Sequence, residues 1–319
     1  MTRTKSPFVL DAVEEFLRTK EAREPKTYAS YSSILLGSER GTKPSLGIPL
    51  ASYFRNRRFA TLTHDEVATW FAQRVRGGAQ VTKHRISKSS RAFLRFARER
   101  RYTEHDLASA IAAYSAGGPR VDWLGWPEIH QLVGAIPEPR YRFAVSWLFW
   151  SGCRVGEACT ARQQDVQLRH EVGFYEWSIP NSKTHIPRKV WLPDHLGNLL
   201  KTTRAQNSPR PDWPVLWDCA GIGFARIEDP SCPISPRTIN GALERARDAI
   251  NLAVNVTAHV AKHSYCTNWI HAYGNGELAM EKLSRQVGTS VAILRETYVH
   301  INVSEDDWAD LRAFGDLSA

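Results

Sequence analysis

The sequence predicts a mostly α-helical protein with a small antiparallel β-sheet, divided into two domains. Three observations carry that expectation. Apolar residues recur at helical spacing through most of the chain. Two short strand-like runs, 173–179 and 188–192, flank a turn rich in Pro, Asn and Ser, as a hairpin requires. The charge balance also changes at one small, flexible segment. Up to Gly118 there are 21 Lys+Arg against 11 Asp+Glu, and beyond it 21 against 22.

Ser6-Pro7 reads as an N-cap followed by proline at the first helical position, opening a helix whose stripe is Val9, Ala12, Val13, Phe16 and Leu17. A second helix follows Pro25 with Tyr28, Tyr31 and Leu35 inward, and residues 37–49 read as loop. Thr63-His64-Asp65-Glu66 matches a capping box ahead of Val67, Trp70 and Phe71, and Gly77-Gly78 ends that helix. The next helix has Ile86, Phe93, Leu94 and Ala97 on one side and Lys88, Arg91, Arg95 and Arg98 on another. Ala116-Gly117-Gly118-Pro119 is the linker, which sets the expected domains at 1–115 and 123–319 with 116–122 between them.

Beyond the linker, Trp126-Pro127 opens a helix, and the apolar run from Tyr141 to Trp150 reads as a buried one. The hairpin carries Lys183 in its turn region. Ser235-Pro236 caps a helix to about Ile250, His259 to Tyr273 is helical up to Gly274, and Glu277 to Val287 is helical again. Gly288 stops that helix, and Val291, Leu294 and Tyr298 return at helical spacing.

Composition narrows the class. The 319 residues are 24% charged and 42% hydrophobic, values of a soluble globular protein, with a net charge of +9. Five cysteines, an odd number with no CxxC pair, argue against a disulfide framework or a zinc site and for a reducing compartment. The start lacks an apolar signal core, and the most apolar run, 144–150, is too short to span a bilayer. A cytoplasmic protein with no membrane partner is expected. The first helix begins within a few residues of Met1, so no further N-terminal domain is expected either.

The basic excess points to a polyanion. From Arg55 to Arg101 there are 13 basic residues against three acidic ones, and the Lys88–Arg91–Arg95–Arg98 stripe has the spacing of a face that contacts phosphates. Four further positions carry chemistry. Arg154 lies in a Gly-marked turn, His259 and Lys262 share a helical face, and Tyr298 precedes His300 by two residues. Arg, His, Lys and Tyr together form a phosphoryl-transfer set. A phosphodiester gains charge on its non-bridging oxygens as phosphorus becomes five-coordinate, and cationic side chains can stabilise it.

The order of these motifs resembles the tyrosine recombinase family, the phage-integrase type of site-specific DNA recombinase, across essentially the whole chain. The carrying residues are Ser151-Gly152-Cys153-Arg154-Val155-Gly156-Glu157, Lys183, His259-Val260-Ala261-Lys262, Val287-Gly288-Thr289 and Tyr298-Val299-His300. Lys262 stands where Arg is usual, and Thr289 where His or Trp is usual.

The resemblance implies a helical, SAM-like core-binding domain followed by an α+β catalytic domain. It makes Tyr298 the nucleophile and His259 its base, with Arg154 and Lys262 on the phosphate, Lys183 protonating the leaving oxygen, and Thr289 a further member of the catalytic set. Arg154 offers a planar fork, and Lys262 a point charge that rotates freely. No metal and no cofactor are implied. The implied partners are double-stranded DNA, a homotetramer on two duplexes joined through a Holliday junction, and room for an accessory DNA-bending or directionality protein. The segment from Ser304 to Ala319 would pack on a neighbouring protomer. A nucleoid-associated, cytoplasmic location follows. Two rival readings share these residues: a type IB topoisomerase-like relaxing enzyme, and a decayed recombinase that only binds DNA.

Overall fold

A computed structural model describes residues 6–21, 25–37, 47–115, 121–170, 173–180, 187–220 and 227–298. The chain forms two compact units, Met1–Pro119 and Arg120–Ala319.

The first unit is helical: α1 (Val9–Glu21), α2 (Pro25–Leu35), α3 (Leu50–Tyr53), α4 (His64–Val75) and α5 (Gln80–Glu99). Its core gathers Phe16, Leu35, Phe59, Trp70, Phe93 and Leu94, with the Phe16 ring against Tyr31, Phe93 and Phe96. The capping box forms as the sequence predicts. Thr63 Oγ1 accepts from the Glu66 amide at 3.3 Å, and Glu66 Oε2 accepts from the Thr63 amide at 2.9 Å.

The start of α1 departs from the expectation. Ser6-Pro7 does not cap it; the helix begins at Val9. Ser6 Oγ instead donates to the Tyr102 carbonyl at 3.0 Å and accepts from the Ala60 amide at 2.9 Å. The Pro7 carbonyl takes the Phe59 amide at 2.9 Å. Long-range hydrogen bonds outweigh the local capping preference here.

The second unit begins with α6 (Trp126–Gly134), α7 (Pro139–Ser151) and α8 (Val155–Thr160). An antiparallel sheet of order β1-β2-β3 follows, from Val166–Arg169, Phe174–Ile179 and Arg188–Leu192. Trp177 pairs with Val166 on one side and Val190 on the other, so all three point into the core. Then come α9 (Asp194–Asn207), the two-stranded pair β4 (Trp217–Ala220) and β5 (Ile227–Pro233), α10 (Pro236–Ala249), α11 (Ala258–Tyr273), α12 (Glu277–Val287) and α13 (Val291–Tyr298).

Helix α7 is the centre of this unit, with Ala144, Val145, Trp147, Leu148 and Phe149 wholly buried. Each large side chain among them contributes about 1.5–3 kcal/mol by leaving water. Helix α11 packs on α7 and is itself flanked by α10, α12 and α13, while α12 lies against β3. These packings converge on the loops after α7 and α12. Both loops open on a left-handed glycine, Gly152 (φ 65°) and Gly288 (φ 62°). A Cβ on Gly152 would strike the Tyr265 ring and Val287, and one on Gly288 would lie 2.7 Å from the Arg188 guanidinium. Glycine is therefore required twice, for backbone conformation and for close approach.

Among the described residues no helix is long and apolar enough to cross a membrane. Cys153, Cys159 and Cys266 are buried thiols.

Candidate active site

The site is built on α11. Thr257 caps this helix by accepting from the Val260 amide, and the Asn240 side-chain oxygen takes the Ala258 amide at 2.9 Å. The first two turns then present His259, Lys262, His263 and Cys266 on one side, because positions three and four apart are helical neighbours. His259 is exposed, His263 half-buried, and Lys262 and Cys266 are buried.

Lys262 is not the freely rotating charge its residue type suggests. It is 6% exposed, and its Nζ donates to the Val287 carbonyl at 2.7 Å. Burial, and then the charge of Arg154, push its pKa down to about 8.

Two arginines join it at the end of α12. Arg154 Nη2 donates to the Gly288 carbonyl at 2.9 Å, and Arg188 Nε donates to the Gln286 carbonyl at 3.3 Å. Three successive carbonyls, of residues 286, 287 and 288, are thus each held by a different cation. A helix C-terminus leaves its last carbonyls without intrahelical partners and carries partial negative charge, so cations are favoured there twice over. The consequence is that residues far apart in sequence are gathered into one positive cluster.

Glu157 orders the arginines. Its buried carboxylate accepts a two-pronged bond from Arg188 (Nη1 at 2.9 Å, Nη2 at 2.7 Å), another from Arg154 Nη1 at 3.2 Å, and one from the Arg154 amide at 2.8 Å. Burial alone would raise its pKa. The Arg188 fork and the Arg154 amide outweigh that and hold the carboxyl below its ordinary range. Arg154, with its side chain 30% exposed, keeps guanidinium N–H groups for an anion after donating to Gly288 and Glu157.

Tyr298 closes the cluster from α13. It is 5% exposed and sits among Tyr265, Cys266, Leu283, Val287 and Leu294. Burial, then Cys266, push its phenol above the ordinary tyrosine range. Its hydroxyl lies 2.6 Å from His263 Nδ1. His263 in turn stands edge-on to His259, ring centres 4.3 Å apart. Burial, then His259 and Lys262, push His263 down to about 4, with Asp122 opposing. His259 is also lowered, by desolvation, then Lys262 and Arg154. The surroundings therefore favour the neutral form of both imidazoles.

Of the residues singled out in the sequence, Arg154, His259, Lys262 and Tyr298 come together around α11 and the end of α12. Thr289 follows Gly288 in the same loop, half-buried. The α13 cap is its neighbour Ser290, whose Oγ accepts from the Ile293 amide. Lys183 and His300 lie outside the described residues. The basic stripe is on α5 in the other unit, where Lys88, Arg95 and Arg98 are exposed and Arg91 is half-buried; Arg98 lies 3.6 Å from Asp106.

Sequence reasoning passed over Arg188 and His263. Arg188 is signalled only by an arginine at the start of a strand. His263 is the next residue after Lys262 and stands four positions from His259, a spacing that marks a shared face.

The model of the phage integrase family matches residues 123–303, more than half of the chain and all of the cluster just described. The chain belongs to the phage integrase family. A tyrosine recombinase from Thermosipho africanus (strain TCF52B) is 26% identical to this integrase-family chain over 188 residues, which cover 56% of the chain and 57% of that relative. The match thus spans little more than half the relative's length.

Solved structures share the fold. XerH site-specific recombinase in a post-cleavage complex with palindromic difH substrate matches with a TM-score of 0.66 at 16% identity, over 98% of each chain. Lambda integrase, in a dimer bound to a COC′ core site, gives a TM-score of 0.66 at 15% identity, over 91% of this chain and 78% of that one. A lambda integrase tetramer bound to a Holliday junction gives 0.66 at 16% identity, over 91% and 77%. The expected fold class, mostly helical with small antiparallel sheets in the tyrosine recombinase architecture, is the one observed.

Proposed function

We propose that this protein is a site-specific DNA recombinase that cuts and rejoins DNA through a 3′-phosphotyrosyl intermediate. The observation that carries the reading is the convergence of Arg154, His259, Lys262 and Tyr298, four chemically matched side chains spread over 145 positions, at one helix end. A scissile phosphate takes its place beside Arg154 and Lys262, whose charge meets the non-bridging oxygens. Arg154 grips two of them as a fork, and Lys262, fixed on the Val287 carbonyl, supplies a localised charge at a set position.

The Tyr298 oxygen forms a bond to phosphorus as the bond to the 5′ oxygen breaks, and the leaving oxygen takes a proton, from Lys183 by the family resemblance. The ester conserves the bond energy, so rejoining by a partner strand's 5′ hydroxyl needs no ATP. The phenol proton passes to a base, for which the family resemblance offers His259, and Thr289 belongs to the same catalytic set by that resemblance. The stripe on α5 adds sequence-independent phosphate contacts.

The structural neighbours, DNA complexes among them with a dimer on a core site and a tetramer on a Holliday junction, support the partners proposed here. Those are double-stranded DNA and a homotetramer working on two duplexes, with an accessory bending or directionality protein as a further component and the nucleoid as the location. Domain limits of 1–115 and 123–319 belong to the same proposal.

The test is recovery of detergent-stable protein–DNA adducts from a library of nicked duplexes, followed by strand exchange between two marked copies of the recovered site. Adducts with exchange support recombination. Relaxation of supercoiled DNA without exchange favours a topoisomerase-like enzyme, and binding without adducts favours a DNA-binding protein alone.

A further inference from the structure

We propose that His263, through Nδ1, is the base that accepts the proton of Tyr298 during strand cleavage. This rests on Tyr298 being the nucleophile. Two titratable side chains hydrogen-bond the phenol, His263 and Cys266, and in their neutral forms the imidazole is the stronger base of the two. Its Nδ1 is 2.6 Å from the hydroxyl, within the reach a general base needs. His259, the residue the family resemblance offers for this task, makes no hydrogen bond to Tyr298 among the described residues. It stands one helical turn earlier with its ring against that of His263.

The surroundings support the direction of transfer. The groups facing the pair are His259, Lys262 and Cys266 on α11, and Asp122 from the segment before α6. Cys266 is kept protonated by burial, its thiol pushed up to about 11, so it adds no competing thiolate beside the phenol. Neutral His263 has a lone pair to offer, and in the tautomer required here Nε2 carries the hydrogen while Nδ1 accepts. In the free protein burial, His259 and Lys262 hold its basicity low. An anionic phosphodiester arriving beside Lys262 and Arg154 offsets that positive field and raises the basicity when the substrate is in place.

The step balances. The phenol proton passes to Nδ1, the phenol oxygen forms the bond to phosphorus, the bond from phosphorus to the 5′ oxygen breaks, and the acid protonates that oxygen. In rejoining, the imidazolium returns its proton to the departing phenolate.

The decisive variant is His263→Asn, whose side-chain oxygen stands near the Nδ1 position and accepts a hydrogen bond but is not a useful base. Single-turnover cleavage is measured on a recovered nicked duplex and on the same duplex with a 5′-bridging sulfur at the scissile position. The thiolate leaves without needing a proton, so that substrate bypasses the acid and not the base. His263→Asn is expected to bind DNA within about twofold of wild type and to cleave both substrates on the order of 10²-fold slower or worse. Wild-type cleavage at either substrate by His263→Asn, or a defect that disappears with the sulfur substrate, overturns the assignment.

A measurement on the unaltered protein is independent of how the variant folds. The ¹⁵N resonances of His263 are expected to show Nε2 protonated and Nδ1 bare at pH 7, and protonated Nδ1 overturns the inference. An adduct formed by Tyr298→Phe, or none formed by wild type, overturns the underlying reading and this inference with it, and is distinguishable from a wild-type adduct with an unimpaired His263→Asn.

Discussion

Replacing Lys262 with Met should stabilise the protein at neutral pH while removing its cleavage activity. Lys262 is 6% exposed and its pKa falls from 10.5 to about 8 on folding. Folding therefore favours the neutral amine. The cost of burying the charged form is fully present below about pH 8 and is relieved as pH rises from there to the unfolded value.

A depression of that size corresponds to about 3 kcal/mol at pH 7, since one pKa unit is worth about 1.4 kcal/mol. Methionine avoids this cost at similar length. It also leaves the Val287 carbonyl without its donor, a loss of about 1–3 kcal/mol. The balance at pH 7 favours the variant by about 1 kcal/mol. Raising the pH to 9.5 removes about 2 kcal/mol of the wild-type penalty, so the order of stabilities should reverse. Urea unfolding at the two pH values measures this, and single-turnover cleavage on a nicked substrate should fall about 10²-fold or more in parallel. A stability difference that does not change between pH 7 and 9.5 would refute the argument that Lys262 is held desolvated. Wild-type cleavage would refute its role on the phosphate.

Other variants test other parts of the account. Arg188→Met leaves the Glu157 carboxylate buried without its two-pronged partner, and should destabilise by about 3–5 kcal/mol, or roughly 6–20 °C in Tm; adding Glu157→Gln should recover much of the loss, and an unchanged single variant would mean the pair is not coupled. Because Glu157 is held below its ordinary range, its contribution is present above the unfolded carboxylate pKa and is lost as pH falls through the folded value, so acid unfolding of wild type should be steeper than that of the double variant. Arg91→Ala with Arg95→Ala should weaken binding to all DNA sequences and reduce the log–log salt slope by about two; an unreduced slope would mean that neither side chain neutralises a phosphate.

Much of the fold was legible because its signals are local. Thr63 and Glu66 form the capping box that their spacing predicts, and the limits of α12 and β3 follow from Gly288 and from the strand-like run itself. Strand β1, helix α9 and the β4–β5 pair were not anticipated. Val166–Arg169 is four residues long and is a strand only because β2 pairs with it, and α9 follows Pro193 without a side-chain cap.

The site divides in the same way. Arg154, Lys262 and Tyr298 were found through the order of residue types along the chain. Their anchoring on the last carbonyls of α12 could not be, because a carbonyl has no sequence signature. Arg188 acts through Glu157 and the Gln286 carbonyl, contacts 31 and 98 positions away. His263 was in plain view beside Lys262, but its distinction from His259 depends on where α13 places the phenol.

The central claim is that Tyr298 becomes covalently joined to DNA, and peptide mapping of the adduct tests it most directly. Adducts recovered from nicked duplexes should yield, after nuclease and protease digestion, one modified peptide carrying a 3′-linked nucleotide on Tyr298, with a free 5′ hydroxyl on the released strand and no adduct from Tyr298→Phe. A nucleotide on any other residue, or a 5′-linked one, would contradict the account.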